Sequence, residues 1–266
     1  MAKSTRPKSP TFTSPKGTFK FPKLNEPDYK FKKEGEMGTK VVFLASDPEV
    51  QAFIAKLAPL HARAVELGEI AFNALPVGTR KAFAAKKVTG AVINPLYSEV
   101  FDEDTEQPTG EIEFKFSMAG IGEIKNGKNA GASFVRRPSL FDAKGKVLVQ
   151  GFPFHIVEKG ETVAGLLSRR GPAIWGGTVG KVSLEVGINA DGEPGYFIPG
   201  TAACGLSLKP LAVQIITLVQ GGGKNAEGYG FGQEEGYEGG EPGEDEGAIP
   251  SSAGDGSAAA GDQSDF

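Results

Sequence analysis

The hydrophobic residues of the chain follow two spacings, and the first of these predicts one long helix. In SDPEVQAFIAKLAPLHARAVE the apolar positions recur three and four residues apart, at Val50, Phe53, Ile54 and Leu57. This is the period of an amphipathic helix, which we place at about residues 47–72. Asp47 suits its N-cap, because a carboxylate accepts a hydrogen bond from the free backbone N–H groups of the first turn. Pro59 lacks a backbone donor, so we expect it to kink or divide the helix.

The second spacing, with a period of two, predicts strands from about residue 88 onward. EIEFKFSM places four apolar side chains on one face, at Ile112, Phe114, Phe116 and Met118. SLFDAKGKVLV predicts two strands joined by a turn at Lys144–Gly145, and KVSLEVGI and LSLKPLAVQIITLV predict two more, separated by the long loop NADGEPGYFIPGTAACG. Before the helix, KVVFLA predicts a short buried strand and GTFKFPKLNEPDYKFKK an edge strand or a surface arm. One helix among many strands predicts a β-rich α+β domain, for which a small barrel is the natural closure.

The composition sets limits on this fold. A chain of 266 residues has room for one large domain or two small ones, and its 38 glycines and 18 prolines favour turns over long helices. The single cysteine, Cys204, excludes an internal disulfide and is typical of a protein in a reducing, cytoplasmic setting. The sequence contains no apolar run of about eighteen residues, so no membrane span is predicted.

Charge divides the chain into two parts. Residues 221–266 contain eleven acids and one base, for a net charge of −10, in a stretch rich in Gly, Ser and Ala. The other 220 residues contain 28 bases and 22 acids, for a net charge of +6. We therefore predict a folded domain over residues 1–220 and a disordered acidic tail over residues 221–266. A basic body suits a polyanionic ligand, and the tail either competes with that ligand and recruits partners or only keeps the protein soluble.

The sequence lacks the motifs of common catalytic and metal sites. Its two histidines, His61 and His155, belong to no HExxH motif, and there is no CxxC pair. GGGKNAEG lacks the spacing and the hydroxyl residue of a phosphate-binding loop, and there is no GxSxG nucleophile elbow. We therefore predict no catalytic residue, no metal and no cofactor, and a protein that is not an enzyme.

Aromatic and basic residues occur together in the segments FVRRPSLFDAKGKV, SRRGPAIWGGTVGK and GEPGYFIPG. Single-stranded nucleic acid is bound by cations that neutralise phosphates and by aromatic rings on which unstacked bases lie. The candidate binding residues are Arg136, Arg137, Phe141, Lys144, Lys146, Arg169, Arg170, Trp175, Lys181, Tyr196 and Phe197. Other roles stay open, because the arginine pairs are also consistent with solvated charge and Trp175 with a plug at a barrel end. Phe114 and Phe116 lie on the apolar strand face and are predicted to belong to the core.

Several segments, in this order along the chain, resemble the single-stranded DNA-binding proteins of T-seven-type short-tailed bacteriophages. The matching stretches are FPKLNEPDY, SDPEVQAFIAKLAPLHARAVE, EFKFSMAG, DAKGKVL, WGGTVGKVSLEV, LKPLAVQIITLV, QGGG and the terminal DF. Each match is short, but together they extend over nearly the whole chain. The segment GLLSRRGPAIWGG has no clear counterpart in the family.

The resemblance implies an OB-fold, a five-stranded Greek-key barrel, with an inserted helix. It implies a homodimer that coats single-stranded DNA without sequence preference in phage replication, recombination, repair and strand annealing, in the cytoplasm of the infected bacterial host. The implied partners are the phage DNA polymerase and primase-helicase. Tyr196 or Phe197 would stack on DNA, and the tail would contact partners and compete with DNA through Glu244, Asp245, Glu246, Asp262, Asp265 and Phe266. A virion structural or assembly protein with a β-rich body is the alternative.

Overall fold

The computed structural model describes residues 8–30, 32–125, 127–168 and 170–219. The chain divides into two units, Met1–Gly222 and Gly223–Phe266. The predicted tail at residues 221–266 and the predicted boundary at residue 220 lie outside the described residues and stay predictions. No helix in the described ranges has both the length and the hydropathy that crossing a bilayer requires.

Strands dominate the described residues. The N-terminal elements are β1 (Thr11–Thr13), β2 (Gly17–Asp28), β3 (Glu36–Leu44), α1 (Pro48–Asn73) and α2 (Val77–Ala85). The middle of the chain forms β4 (Val92–Ile93), β5 (Ser98–Phe101), β6 (Pro108–Ala119), β7 (Ile121–Glu123), β8 (Ser133–Arg137), β9 (Ser139–Phe141), β10 (Val147–Val149) and β11 (Phe152–Ile156). The last elements are α3 (Val163–Leu167), β12 (Val179–Val186), β13 (Tyr196–Ile198), β14 (Ala203–Gly205) and β15 (Leu208–Thr217).

One large sheet organises the described residues, in the order β10-β9-β15-β12-β2-β3-β6-β5, with β1 also paired to β12. Its neighbours are antiparallel except for the parallel pair β15–β9. The strands β6 and β15 are separated by three others in this order, yet their Cα atoms also approach within 8 Å of each other. The sheet is therefore strongly curved. Two three-stranded sheets, β11-β8-β7 and β13-β14-β4, are also described.

The core lies on the inner face of the curved sheet, and α1 packs against it. The strands β2, β3, β6, β12 and β15 each contribute buried apolar side chains to the core. These include Phe19, Val41, Phe114, Phe116, Leu184 and Val213. Helix α1 adds Val50, Phe53 and Leu57, and the Phe53 ring centroid lies 5.4 Å from that of Phe114. Burial of these side chains is the main favourable term for joining the helix to the sheet.

Most of the elements predicted from the sequence are confirmed. Helix α1 begins one residue after Asp47, whose carboxylate accepts a hydrogen bond from the Glu49 N–H at 2.7 Å. The alternating segment EIEFKFSM lies in β6, and its four apolar residues are buried as expected. The predicted segments around residues 139–149, 179–186 and 208–217 also form strands. The β-rich α+β class is therefore correct.

Three local predictions hold only in part or are wrong. The predicted edge strand or arm forms the strand β2, which pairs with β3 on one side and with β12 only at Gly17 and Thr18 on the other, so the rest of β2 has the character of an edge strand. Of the two outcomes predicted for Pro59, division of the helix is wrong, because α1 continues across it, where the packing of the apolar face outweighs the one missing backbone donor. The long loop before β15 contains the hairpin β13–β14, in which Phe197 pairs with the buried Cys204.

Candidate nucleic-acid interface

Three lysines on neighbouring strands form a row on the outer face of the sheet. Lys20 of β2 lies opposite Lys40 of β3, and Lys40 lies opposite Lys115 of β6. Successive strand residues point to opposite faces, and the neighbouring Phe19 and Phe114 point into the core. The lysines therefore point away from the core. We call Lys20, Lys40 and Lys115 the lysine row.

One carboxylate lies between two members of the lysine row. Lys40 Nζ donates a hydrogen bond to Glu113 Oε1 at 2.5 Å, and the second oxygen of Glu113 lies 3.9 Å from Lys20 Nζ. A single negative charge thus serves two positive charges. The two lysine side chains are partly exposed, whereas Glu113 is largely buried between them.

A second acid, Glu36 of β3, holds Lys115 at the other end of the lysine row. Lys115 Nζ lies 2.8 Å from Glu36 Oε1, and Lys32 pairs with the other oxygen. Burial acts to raise the pKa of Glu36, but the hydrogen bonds and charges of the two lysines outweigh burial and lower the pKa below its ordinary value. Glu36 is therefore a charged anchor for this end of the row.

A β-bulge in β2 turns an aromatic ring out of the core. The register of β2 against β3 shifts between Lys20 and Lys23. Within the bulge Phe21 has φ = +50°, and 75% of its surface is exposed. A positive φ is unusual for a bulky residue and costs on the order of 1 kcal/mol or more. Bulges re-aim side chains, and this one presents the Phe21 ring to solvent.

A tight turn presents the chain's only tryptophan. The Thr178 N–H donates to the carbonyl of Trp175 at 3.2 Å, and Gly177 adopts φ = +88° at the third position of the turn. That conformation is open to glycine at little steric cost. The Gly177 N–H then donates to the carbonyl of Phe19 at 2.9 Å, which ties the turn to β2. Trp175 is 52% exposed, so it is not buried as a plug.

These features meet in a groove of about 1130 Å³ between residues 18–26 of β2 and residues 170–177. We call it the Trp175 groove. Its ring-bearing and charged side chains at the surface are Phe21, Trp175, Lys20, Lys23, Arg170, Glu26 and Glu111. Two exposed aromatic faces beside three cations provide what an unstacked, negatively charged strand requires.

Four of the predicted residues lie around Gln214 of β15. Phe141 and Lys181 are its register partners on β9 and β12, respectively. The Gln214 side-chain amide donates to the carbonyls of Asp142 and Ala143, in the turn that carries the exposed Lys144 and Lys146. The structure thus brings together Phe141, Lys144, Lys146 and Lys181. The Phe141 ring is half-buried, so this cluster is mainly a basic surface.

Tyr196 and Phe197 lie in the β13–β14 hairpin, apart from the Trp175 groove lining. Tyr196 lines a second groove of about 710 Å³, together with Tyr97 and the row members Lys40 and Lys115. We call it the Tyr196 groove. The Tyr196 hydroxyl accepts a hydrogen bond from Asn94 Nδ2 at 2.6 Å. Both hairpin rings are half-buried, which differs from the exposed loop tip that the sequence suggests.

The predicted binding residues include two arginine pairs, Arg136–Arg137 and Arg169–Arg170, whose described members lie in different environments. Arg136 lies over the rings of Phe134 and Phe154, at 4.7 and 5.2 Å from their centroids, on the small β11-β8-β7 sheet. Arg137 is 1% exposed and so does not contribute to the outer surface. Arg170 is exposed in the Trp175 groove, and its Nη1 lies 2.6 Å from Glu26 Oε1. Arg169 lies outside the described residues.

The chain is similar to phage single-stranded DNA-binding proteins. One solved structure is gp2.5, a single-stranded DNA-binding protein encoded by bacteriophage T7, with 18% identity, a TM-score of 0.48, and coverage of 88% of this chain and 100% of that one. Another is the single-stranded DNA-binding protein of bacteriophage Enc34 in complex with ssDNA, with 10% identity, a TM-score of 0.41, and coverage of 82% and 98%. Both of these solved structures are of phage single-stranded DNA-binding proteins, the class that the sequence segments resemble. No protein-family model and no curated protein sequence matches the chain.

Sequence reasoning missed several residues of the Trp175 groove and the whole lysine row. Phe21, Lys20 and Lys23 lie in GTFKFPK, whose alternation of aromatic and basic residues is visible in the sequence. The positions of Lys40 and Lys115 depend on strand register, which the sequence does not show. Among the described residues, no group of three His, Cys, Asp or Glu side chains is placed to hold a metal ion.

Proposed function

We propose that the protein binds single-stranded DNA without sequence preference, as a non-catalytic coating protein of phage DNA replication, recombination, repair and strand annealing. The observation that carries the proposal is the Trp175 groove, where Phe21 and Trp175 expose their rings beside Lys20, Lys23 and Arg170. Covering exposed rings of this size with a ligand removes apolar surface from water and so favours binding. The strained backbone of Phe21 adds to that cost, which favours a functional role for the ring.

The Trp175 groove and the lysine row contribute to the free energy of DNA binding in two different ways. A base stacked on an aromatic side chain contributes about 1–3 kcal/mol, and every base offers a π-face, so the contact tolerates any sequence. Each neutralised phosphate releases counterions, which makes the affinity fall as the salt concentration rises. Because the row continues from Lys20 to Lys40 and Lys115, we propose that the strand leaves the groove along the outer face of the sheet.

The proposed architecture is an OB-fold. Taken as five strands, β2, β3, β6, β12 and β15 are connected in the order β6-β3-β2-β12-β15, and the end strands approach each other. This arrangement supports a five-stranded barrel with α1 inserted between its second and third strands. Homodimer formation, contacts with phage polymerase and primase-helicase, and location in the host cytoplasm follow from the sequence resemblance and are proposed on that basis.

The acidic tail is proposed as an internal competitor for the basic surface and as a hook for partners. A flexible tail of about 45 residues has an r.m.s. span of about 35–40 Å, enough to reach across a small domain. Its charge of −10 complements the +6 of the remaining chain. Truncation after Gly223 should therefore tighten DNA binding, and Phe266→Ala should weaken partner binding with the fold unchanged. A tail that serves only for solubility would leave the affinity unaltered once salt is raised.

The decisive experiment is a fluorescence titration of the full chain with oligo-dT at several salt concentrations. Trp175 is the only tryptophan, so its emission reports on the groove itself. We expect saturable quenching, and a log–log salt dependence with a slope of about −0.7 for each phosphate neutralised. Duplex DNA of the same length is the control and should compete poorly. Absence of oligo-dT binding at low salt would contradict the proposal and favour the virion structural alternative.

A further inference from the structure

Helix α2 and the turn that follows it present a positively charged surface away from the Trp175 groove. Residues 74–98 contain four bases and no acid. We call the four bases the α2 cations; they are Arg80, Lys81, Lys86 and Lys87. The ion pairs of the described residues include none of them. No residue of α2, which the structure describes throughout, is fully buried, so one face of this helix has no packing partner in the fold.

The sign of the charge reverses in the next segment of the chain. Residues 99–106 contain five acids and no base. Four of these acids lie in the connection between β5 and β6, which we call the acidic turn; they are Asp102, Glu103, Asp104 and Glu106. All four are exposed, and none belongs to an ion pair of the described residues. Asp102 Oδ1 accepts the Thr105 N–H at 2.8 Å, which gives the turn a defined shape.

The α2 cations and the acidic turn lie at opposite ends of helix α1. At its start, the Ala45 N–H donates to the carbonyl of Gly110, four residues after the acidic turn, at 2.9 Å. At its end, the Phe72 ring centroid lies 6.0 Å from that of Phe83 in α2. Helix α1 has 26 residues and is therefore about 39 Å long. The two charged surfaces of one copy are thus too far apart to pair with each other.

Each charged surface also carries an exposed apolar side chain. Phe101, directly before the acidic turn, is 52% exposed, and Val77, the first residue of α2, is 59% exposed. Covering such side chains removes apolar surface from water and favours association. The two surfaces therefore match in charge and in their apolar contribution.

From this arrangement we propose that the acidic turn of one copy docks on the α2 cations of a second copy. The two surfaces differ and lie at opposite ends of α1, so the contact is heterologous and repeats head to tail instead of closing into a pair. It is separate from the homodimer that the sequence resemblance implies. Exposed ion pairs are individually weak, so the contact matters most between copies already adjacent on one DNA strand. In that setting it makes coating cooperative, and this use of the contact rests on the proposed function.

Cooperativity is measured by comparing oligo-dT that accommodates one copy with oligo-dT three times as long. At low salt we expect the affinity for each binding site to be about five- to thirtyfold higher on the longer strand, and this ratio to fall as salt rises. Reversal of the helix charges by Lys81→Glu with Lys86→Glu should reduce the ratio to about one. Reversal of the turn charges by Glu103→Lys with Asp104→Lys should do the same.

All four substitutions in one chain should restore the ratio, because they exchange the two charges and leave the net charge unchanged. Lys125→Glu with Lys128→Glu is the matched control, since it changes the net charge as the helix reversal does, at exposed lysines of the β7–β8 connection. It should leave the ratio intact.

Three results would overturn the contact while leaving the proposed function intact. The first is a ratio near one for the unsubstituted protein, and the second is no recovery in the fourfold variant. The third is a loss of affinity of the helix-reversed variant for the short strand with its ratio unchanged, which would make the α2 cations a DNA contact instead.

Crosslinking tests the contact without DNA. Cys204 is buried, so cysteines introduced at the surface are the reactive ones. At low salt and high protein concentration, a short bis-maleimide should join Glu103→Cys copies to Lys86→Cys copies, and a chain with both substitutions should give a ladder of oligomers. Absence of the mixed dimer, or equal yields of dimer from either variant alone, would overturn the head-to-tail contact. A ladder from a protein that fails to bind oligo-dT would support the contact and contradict the proposed function.

Discussion

The Trp175 groove and the Tyr196 groove lie beside the same sheet, and they differ in what their aromatic rings contact. In the Trp175 groove, Phe21 and Trp175 are 75% and 52% exposed, and neither makes a ring contact with another described aromatic residue. In the Tyr196 groove, the Tyr97 ring lies 5.5 Å from Phe114, and the Tyr196 hydroxyl is bonded to Asn94. The first groove offers free aromatic faces, whereas the rings of the second are occupied by the fold.

The cations of the two grooves differ less than the rings do. Lys32, Lys40 and Lys115 line the Tyr196 groove, and each is paired with Glu36 or Glu113. In the Trp175 groove Arg170 is paired with Glu26, whereas Lys23 is exposed and Lys20 reaches its acid only at 3.9 Å. The comparison teaches that residue type alone does not distinguish the two grooves. The clearest difference between them is which aromatic faces remain unoccupied.

The largest expected effect is the loss of DNA affinity when an exposed ring of the Trp175 groove is removed. Phe21→Ala and Trp175→Ala should each weaken oligo-dT binding by about 1–3 kcal/mol, or roughly five- to more than a hundredfold in Kd, because each removes a stacking face. Anisotropy of a labelled oligo-dT is the measurement, since Trp175→Ala removes the intrinsic fluorophore. Phe21→Ala should leave thermal stability unchanged or raised, because the exposed ring adds little packing.

Tyr196→Phe is the matched control for those two variants. It keeps the ring but removes the hydroxyl that Asn94 binds, so we expect a loss of about 0.5–1.5 kcal/mol in the free energy of unfolding and little change in Kd. Tyr196→Ala and Tyr97→Ala remove the rings themselves, and a large loss of DNA affinity in either, with Trp175→Ala unaffected, would reverse the assignment of the two grooves.

The sequence was sufficient for elements in which local pattern and packing agree. The N-cap at Asp47, the apolar face of α1 and the alternation of β6 all depend on neighbours close in the chain. Phe21 could not be placed in this way, because strict alternation assigns it to the same face as the buried Phe19. Only the bulge between Lys20 and Lys23, formed when β2 pairs with β3, turns it outward.

The candidate site was predictable in kind but only partly in position. The mixture of aromatic and basic residues pointed to single-stranded nucleic acid, and Trp175 and Arg170 do share a groove. Arg137 was indistinguishable from Arg136 in the sequence, because the burial of one and the cation–π contacts of the other depend on the β11-β8-β7 sheet. The lysine row required the register of three strands that are far apart in the chain.

A second, smaller effect concerns the lysine row. Lys20→Gln removes a cation that lies at the junction of the row and the Trp175 groove, so it should weaken binding and reduce the salt slope by about 0.7. Lys115→Gln lies at the far end and is held by Glu36, so its effect should be weaker. The measurement is the affinity for oligo-dT across a salt series. Equal effects of both substitutions would indicate that the bound DNA strand runs along the whole lysine row. If neither substitution has an effect, the lysine row does not contact the DNA.

A third effect sharpens the role of the turn that carries Trp175. Asn25→Ala removes both hydrogen bonds that fix the backbone at Gly171 and Pro172, so Trp175 should become more mobile. We expect lower fluorescence anisotropy of free Trp175 and a loss of affinity of about 1–2 kcal/mol, since the strand must then order the segment. Asn25→Asp keeps the oxygen that accepts from the Gly171 N–H but loses the donor to Pro172, so its affinity should lie between those of the unsubstituted protein and Asn25→Ala. Unchanged Trp175 anisotropy would show that the hydrogen bond from the Gly177 N–H to the Phe19 carbonyl is sufficient to hold the turn in place.

The smallest effect is a dependence of stability on pH that belongs to the Tyr196 side of the row. The pKa of Glu36 is lowered in the folded protein, so its ion pairs stabilise the fold above its unfolded pKa, near 4.5, and this contribution is lost as pH falls through the folded value. Glu36→Gln should therefore cost about 0.5–1 kcal/mol of unfolding free energy at neutral pH and almost nothing in strong acid. Urea unfolding at several pH values measures this difference. The same variant frees Lys32 and Lys115 from their ion pairs with Glu36. If the bound strand reaches these two lysines, the affinity for DNA should rise slightly. If binding stays constant while the pH-dependent stability is lost, the Tyr196 groove is a purely structural region.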